Sequence, residues 1–310
     1  MKLQEFVRFA GLGGRRRLVR AGVIGVCCFA TSVGCSKQKS TPGGGASASA
    51  SASASGPPMV LAVPVHAEKV RKAVNPKGQP AYAGPTGTVV GVVRVSGPTA
   101  PSRDELLSKV PEQCAGAKGF YGPAFREGPG RALADVLVTV SGYSGYVPAK
   151  DEVKATTIKD CAYAARTYAV MFGQKMEVKN IGGRPQMPKL LGATSSAVMV
   201  AVPGGDAVPL LPDHPGRFTL VDEMYGGVQA DVFVLQYPTF AVTGTDGRFE
   251  IRGVPTGELK LNALLPTTMS VKSQSVTVQA GKTVEAEITL EYVPPAPAPS
   301  SSAPVPPQIP

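Results

Sequence analysis

The chain has 310 residues, with 36 Gly, 30 Pro and no Trp. Its formal net charge is +10, but Lys and Arg are scattered rather than gathered with aromatic residues, so we expect no nucleic-acid partner. Two His residues and the lack of an HExxH, P-loop or GxGxxG motif offer little material for catalysis, so we expect neither an enzyme nor a cofactor.

Residues 1–34 have the pattern of an export signal. Arg15-Arg16-Arg17 precedes an uncharged run, residues 21–34, that is too short to span a bilayer but typical of a signal peptide. Two arginines, any residue and two apolar residues resemble a twin-arginine signal. The alternative is an ordinary basic segment on a general secretory signal.

The end of this segment, Ser32-Val33-Gly34-Cys35, resembles a bacterial lipobox. The resemblance implies acylation of Cys35, and several acyl chains anchor a protein stably in a membrane. Ser36 follows where Asp would retain such a protein in the inner membrane, which favours an outer-membrane location facing the periplasm or the cell surface. The alternatives are plain secretion and an uncleaved anchor.

Low-complexity segments flank the predicted body of the protein. Residues 35–84 are predicted to be a Ser/Ala/Gly-rich linker behind the lipid anchor, and residues 294–310 a Pro-rich disordered tail. His66 is expected to be solvated in the linker. The tail could meet a cell-wall or envelope-protein partner of unknown identity, or it is simply a solvated extension.

The body is predicted to be all-β, because short Val-rich runs recur between Gly and Pro. Its first unit, residues 85–236, carries about seven strands, a number typical of a sandwich. Two of them are predicted to form a hairpin about Gly173-Gln174. The predicted strands of this unit cover residues 86–97, 132–142, 162–172, 175–180, 196–203, 217–221 and 228–235.

The second unit, residues 237–293, begins with a hairpin that turns at Thr245-Asp246-Gly247. The pattern F-x-V-T-x-x-D-G-x-F-x-I-x-x-V-P-x-G starts at Phe240 and ends at Gly257. It resembles the hairpin of carboxypeptidase regulatory-like domains, a transthyretin-like β element that is not the catalytic part of carboxypeptidases. Residues 283–293 alternate apolar and acidic side chains, as expected for a strand with one buried face.

The segment leading into this hairpin resembles envelope proteins in which a cupredoxin-like (plastocyanin-like) domain precedes the regulatory-like element. The resemblance implies a Greek-key β-sandwich with copper ligands from Cys, His and Met. Here Asp222 stands at the position of the Cys, Tyr225 and Gln186 at those of the two His, and Val228 at that of the Met. Soft copper sites need thiolate and imidazole, so we predict a scaffold without its metal. Ala165-Arg166 also stands where the relatives have a Pro-His pair.

Cys114 and Cys161 are the cysteines that remain after the signal and Cys35. An isolated pair in an exported chain predicts a disulfide, and the resembling copper proteins carry a Cys at each place. The alternative is a copper thiolate at Cys161.

These observations predict a non-catalytic, lipid-anchored envelope protein that acts as a binding or structural module. The competing hypothesis is a copper-binding electron-transfer protein with unusual ligands. Thioethers and an imidazole near the degenerate loops could hold Cu(I). These candidates are Met187, Met199, Met224 and His214.

Replacing the predicted lipidation residue, Cys35→Ala, should move the protein from the membrane fraction to the soluble fraction and abolish its metabolic labelling by a fatty-acid probe. The reason is that acyl chains supply the apolar area for anchoring. Cys27→Ala, within the signal, is the matched control and should keep the label. Labelling that persists in Cys35→Ala would contradict the lipoprotein prediction.

Overall fold

The computed structural model describes residues 67–151, 153–194 and 199–294. Over this range the chain is built mainly of strands, which confirms the predicted all-β class. The export signal, Cys35, linker residues 35–66, part of the predicted strand 196–203, and residues 295–310 lie outside the described residues.

Fifteen strands form four sheets in the described part of the chain. In chain order they are β1 (Thr86–Ser96), β2 (Leu137–Ser141), β3 (Val153–Lys159), β4 (Ala162–Tyr163), β5 (Thr167–Met171), β6 (Lys175–Asn180), β7 (Pro188–Leu191), β8 (Val208–Leu210), β9 (Gly216–Asp222), β10 (Gln229–Leu235), β11 (Phe240–Val242), β12 (Arg248–Pro255), β13 (Gly257–Leu265), β14 (Ser270–Val278) and β15 (Thr283–Glu291).

Strands β3 to β10 make the first sandwich. Its sheets have the orders β5-β10-β9-β7 and β4-β3-β6-β8, and both contain one parallel pair, β5 with β10 and β3 with β6. Apolar side chains from both sheets share one core, because alternate residues of each strand point inward. Its largest fully buried members include Tyr163, Ile158, Met176, Phe218 and Leu220.

The second sandwich combines β1 and β2 with β11 to β15. Its sheets have the orders β12-β1-β15 and β11-β2-β13-β14. Strand β1 pairs antiparallel with β12 and parallel with β15, and its buried Val89, Val93 and Val95 face the core. The hairpin turn forms as predicted, with Gly247 at a φ of +69° and the Asp246 carboxylate accepting a hydrogen bond from Arg248 N.

The chain interleaves the two sandwiches. The predicted first unit, residues 85–236, includes β1 and β2, whereas in the structure these strands pair with strands of the second sandwich. Strand β11 lies antiparallel beside β2, with Phe240 opposite Thr139 and Val242 opposite Leu137. The chain therefore leaves the second sandwich after β2, forms the whole first sandwich, and returns at β11, the neighbouring strand of the same sheet. Strand partners of this kind are set by long-range packing, which alternation along one strand does not encode.

The predicted hairpin between residues 162–172 and 175–180 is wrong. The first run breaks into β4 and β5, and β5 lies in a different sheet from β6. Gly173, at a φ of +102°, does turn the chain, but the turn carries it across to the other sheet. The physical reason is burial: all five residues of β5 are buried, so this strand is covered on both faces and takes β10 as its partner.

Strand β3 lies between the predicted strands 132–142 and 162–172, where no strand is predicted. Its lysines are exposed, while Thr156 and Ile158 are buried. The Thr156 hydroxyl donates a hydrogen bond of 2.7 Å to the Tyr168 hydroxyl, which satisfies it inside the core. The polar composition of the strand therefore hid a partly buried face.

Three short helices also occur where the sequence predicted none. They are α1 (Ala67–Val74), α2 (Asp104–Leu107) and α3 (Ala115–Tyr121). Helix α1 corrects the linker prediction over its length, because Val70, Ala73 and Val74 at helical spacing pack on the first core. Among the described residues, no helix is long and apolar enough to cross a membrane.

The two sandwiches meet at a seam of apolar side chains. Leu137 from β2 and Leu264 from β13 pack with Ala169, Phe233 and Leu235 from the first sandwich. All five side chains are at most 5% exposed. Full burial of a large apolar side chain stabilises the folded state by roughly 1.5–3 kcal/mol, so the seam joins the two sandwiches firmly.

The predicted disulfide between Cys114 and Cys161 is confirmed, with the two Cα atoms 5.5 Å apart. It ties the segment before α3 to the turn between β3 and β4, and both residues lie in the first core. A sulfur in this bond is no thiolate ligand, so the copper-thiolate alternative at Cys161 is wrong for the disulfide-bonded protein.

Replacing both cysteines, Cys114→Ala with Cys161→Ala, should lower the free energy of unfolding by about 4 kcal/mol. The chain-entropy model gives this value for the sequence separation of 47 residues. Urea titration of the variant and of the wild type, with and without reductant, measures it. Reduced wild type should behave like the double variant, and a difference below about 1 kcal/mol between oxidised wild type and variant would contradict the prediction.

Candidate functional site

Asp222 organises the end of β9 and the loop that follows it. Its Oδ1 accepts hydrogen bonds from the backbone N–H of Met224 at 2.8 Å and of Tyr225 at 3.1 Å. Its Oδ2 accepts one from the N–H of Met187 at 3.2 Å, on the segment entering β7. The carboxylate, 5% exposed, thus joins two separate segments of the first sandwich.

Gln186 is almost completely buried and directly precedes Met187. The N–H of Met187 donates a hydrogen bond to the Asp222 carboxylate. The backbone of Gln186 exchanges two hydrogen bonds with Ala201, and its Nε2 is 4.0 Å from the Cys161 sulfur. The side-chain Oε1 has no hydrogen-bond partner among the described residues. An unsatisfied buried carbonyl of this kind costs about 1–3 kcal/mol, so the position is not optimised for stability alone.

Three of the four degenerate ligand positions lie on the loop that follows β9. Asp222 N donates to the carbonyl of Val228 at 3.1 Å, which closes this loop, and the Val228 side chain is buried. Tyr225 lies inside the loop, where its N–H donates to Asp222. Gln186 precedes Met187, whose N–H donates to the same carboxylate, but the Gln186 side chain contacts the Cys161 sulfur.

Burial dominates the electrostatics of the site. It raises the pKa of Asp222 above its ordinary value, although three backbone N–H groups act in the opposite direction and Glu223 adds to the rise. Tyr163 also has a pKa well above its usual range, because of burial and the nearby Asp222 charge. Its hydroxyl donates to the Val221 carbonyl at 2.9 Å, so both groups serve the packing of β9.

The donor set does not fit a soft copper ion. The site supplies one carboxylate already engaged by three N–H groups, one amide, one phenol and an aliphatic side chain, whereas such copper sites use thiolate, imidazole and thioether. No group of three His, Cys, Asp or Glu side chains that could hold a metal occurs among the described residues.

The rebuilt Cu(I) site considered from the sequence is not assembled around His214. This residue precedes β9, whose far end carries Asp222, about 20 Å away at the usual rise of a strand. The His214 ring packs on Phe218, and its Nδ1 is 2.6 Å from Asp213 Oδ1. Of the three methionines, Met199 packs against the first core and Met224 is largely exposed.

Sequence reasoning missed a second polar site at the seam. Three arginines line a cavity of about 210 Å³ there, namely Arg103, Arg166 and Arg217. The only hint in the sequence is Arg166, which departs from the Pro-His pair of the resembling proteins. The other two are far apart in the sequence, and nothing local connects them.

Comparison with known proteins gives a limited result. No family model matches the chain, and no curated protein matches it. Among solved structures, a purple cupredoxin from Nitrosopumilus maritimus is 11% identical, with a TM-score of 0.24, and the match covers 26% of this chain and 98% of that chain. A mutant of amicyanin in its reduced state is 16% identical, with a TM-score of 0.24, covering 31% of this chain and 97% of that chain. Matches at this TM-score carry no argument about function.

Truncating the central carboxylate, Asp222→Ala, should lower the free energy of unfolding by about 2–3 kcal/mol. It leaves three backbone N–H groups, two of them in a tight loop, without their acceptor. Chemical denaturation measures the change.

The matched control is the neighbouring carboxylate, Glu223→Ala, which removes only a partly exposed ion pair with Lys189 and should cost at most about 1 kcal/mol. Equal losses for the two variants would contradict the organising role of Asp222.

Proposed function

We propose that this chain is a non-catalytic, lipid-anchored protein of the cell envelope whose β body serves as a binding or structural module without copper. One observation carries the proposal. The four positions that the resemblance assigns to copper ligands lie on two segments that hydrogen bonds to Asp222 join, and they hold Gln186, Asp222, Tyr225 and Val228. Their chemistry suits packing and hydrogen bonding rather than a soft metal.

The way in which Asp222 is used supports this proposal. A metal ligand directs its lone pairs at a common centre, whereas three of the roughly four acceptor sites of the Asp222 carboxylate are taken by backbone N–H groups. Val228 replaces a thioether with a buried aliphatic side chain. The loop that would hold the metal is therefore closed by protein hydrogen bonds alone.

The sequence supports the location. An export signal, the lipobox ending at Cys35 and a Ser/Ala/Gly-rich linker form a series typical of lipoproteins. The membrane is then one partner through the anchor, and an envelope protein or the cell wall is the other. The chain has two histidines, and His214, the one within the described residues, lies partly exposed beside Asp213, which supports a non-catalytic role.

The decisive measurement is titration of the purified chain with Cu(II), and with Cu(I) under reducing conditions that spare the disulfide. Neither ion should bind stoichiometrically with a dissociation constant below about 1 µM, because the four assigned positions contain no thiolate or imidazole. Stoichiometric sub-micromolar binding would instead favour the alternative, a copper-binding electron-transfer protein with non-standard ligands.

A gain-of-function variant tests the scaffold directly. Gln186→His, Asp222→Cys, Tyr225→His and Val228→Met together should create Cu(II) binding with a thiolate charge-transfer band, because they restore the ligand types that the resemblance assigns to these positions. The matched control carries Asp222→Ser with the other three changes and should lack the band. A folded quadruple variant that binds no copper would refute the assignment of these positions.

A further inference from the structure

The cavity at the seam is built from parts of both sandwiches. Arg217, Thr219, Gln229 and Asp231 come from β9 and β10, while Thr267 lies in the turn between β13 and β14. Arg103 comes from the segment before α2, and Arg166 from the residue before β5. Its volume of about 210 Å³ far exceeds the ~15 Å³ that a single water needs, so it has room for a polyatomic ligand.

One of its arginines is already paired. Arg217 Nε and Nη2 lie 2.9 and 2.7 Å from Asp231 Oδ1, and Nη2 also reaches the carbonyl of Pro266 at 3.5 Å. Burial raises the pKa of Asp231 above its ordinary value, while Arg217 and Arg103 act against this rise. The single carboxylate lining the cavity is thus committed to Arg217.

A second carboxylate, that of Asp135, is also engaged by other partners. Asp135 binds Arg126 through two parallel hydrogen bonds of 2.7 and 2.8 Å, and it accepts another from the backbone N–H of Arg166 at 2.9 Å. Bidentate pairs of this kind are among the strongest that a carboxylate makes. Asp135 therefore balances Arg126, and two positive charges at the cavity remain without a carboxylate of their own.

Arg166 is the first of these two charges. Its side chain is 3% exposed, and its Nη atoms donate to the backbone carbonyls of Phe120, Pro123 and Ala124. Its Nε has no hydrogen-bond partner among the described residues. Burial lowers the pKa of Arg166 to about 10, with Asp135 opposing the shift and Arg126 and Arg103 adding to it. Arg166 thus shares the Asp135 charge with Arg126, and a buried cation with only a shared counter-charge favours a further anion beside it.

Arg103 is the second. Its guanidinium forms no ion pair within 4 Å and no side-chain hydrogen bond in the described part of the chain, although it lines the cavity and is half-buried. Burial lowers its pKa, and the Asp231 charge acts in the opposite direction. Its five N–H donors are free for a ligand.

A hydroxyl completes the set of donors. Thr267 Oγ1 is buried against the same cavity and has no hydrogen-bond partner among the described residues. Buried polar atoms in native proteins nearly always have partners, and each exception needs an explanation. Both Thr267 Oγ1 and Arg166 Nε are almost completely enclosed, so a small side-chain shift brings them to a ligand in the cavity.

We propose that this cavity binds a tetrahedral oxyanion of the phosphate class, held by Arg103 and Arg166 and by the hydroxyl of Thr267. Guanidinium groups match the geometry of such oxyanions and donate paired, charge-assisted hydrogen bonds to them. The anion supplies the missing negative charge, and Arg217 with Asp231 holds the wall of the cavity in place. This inference goes beyond the proposed function and does not depend on it, because the cavity shares no residue with the Asp222 site.

Isothermal titration of the purified full chain with inorganic phosphate tests the proposal, at constant ionic strength maintained with NaCl. We expect one site per chain with a dissociation constant of about 1 mM or lower. Sulfate should compete for the same site and acetate should bind more weakly. Glycerol 3-phosphate in a parallel titration distinguishes a phosphate monoester from free phosphate as the preferred form.

Arg103→Gln is the main variant and should weaken phosphate binding at least about ten-fold, the effect of losing one charge-assisted contact. In phosphate-free buffer its melting temperature should equal or exceed that of the wild type, since the substitution removes an unbalanced charge. Added phosphate should reverse this order. A purely structural role for Arg103 would not produce such a reversal.

Two further variants keep the test decisive. Arg252→Gln, on an exposed strand face where Arg252 pairs with Glu250, removes the same charge elsewhere and should leave phosphate binding unchanged. Thr267→Val removes only the unpartnered hydroxyl and should weaken binding several-fold without unfolding the protein. The proposal is overturned if neither phosphate nor sulfate binds, if acetate binds more tightly than phosphate, or if Arg103→Gln and Arg252→Gln have equal effects.

Discussion

The burial of β2 on both of its faces is the constraint on which the rest of the structure depends. Val138 and Val140 point into the second core, while Leu137 faces the seam with Phe233 and Leu235. The polar Thr139, also fully buried, accepts a hydrogen bond from Asn262 at 3.4 Å. A strand covered on both sides cannot lie at a surface, so one sheet of the second sandwich must pack against the first.

This packing explains both the interleaved chain and the position of the arginine cavity. Because β2 and β11 are neighbours, the whole first sandwich is held between two adjacent strands, and the disulfide at Cys114 and Cys161 adds a second connection. Where two sandwiches meet, polar residues from each are enclosed together, and such junctions are frequent ligand sites. The excess positive charge of Arg103 and Arg166 is therefore a property of the junction, which neither sandwich has alone.

The Asp222 site has the opposite character. There a carboxylate takes up three backbone N–H groups, and the site meets its hydrogen-bonding needs from within, apart from the amide oxygen of Gln186. This site is therefore a structural element of the first sandwich, while the proposed ligand site lies at the seam.

Features that depend on neighbours along the chain can be predicted from the amino-acid sequence. They include the alternation of β1, β10 and β15, the turn at Asp246-Gly247 and the pairing of two isolated cysteines, because side-chain period, turn chemistry and cysteine number are local or countable properties. Long-range packing instead places β5 and β6 in different sheets, joins β1 and β2 to the second sandwich, and gathers Arg103, Arg166 and Arg217 around one cavity. These outcomes depend on which buried surfaces fit together across more than a hundred residues, and no local pattern carries that information.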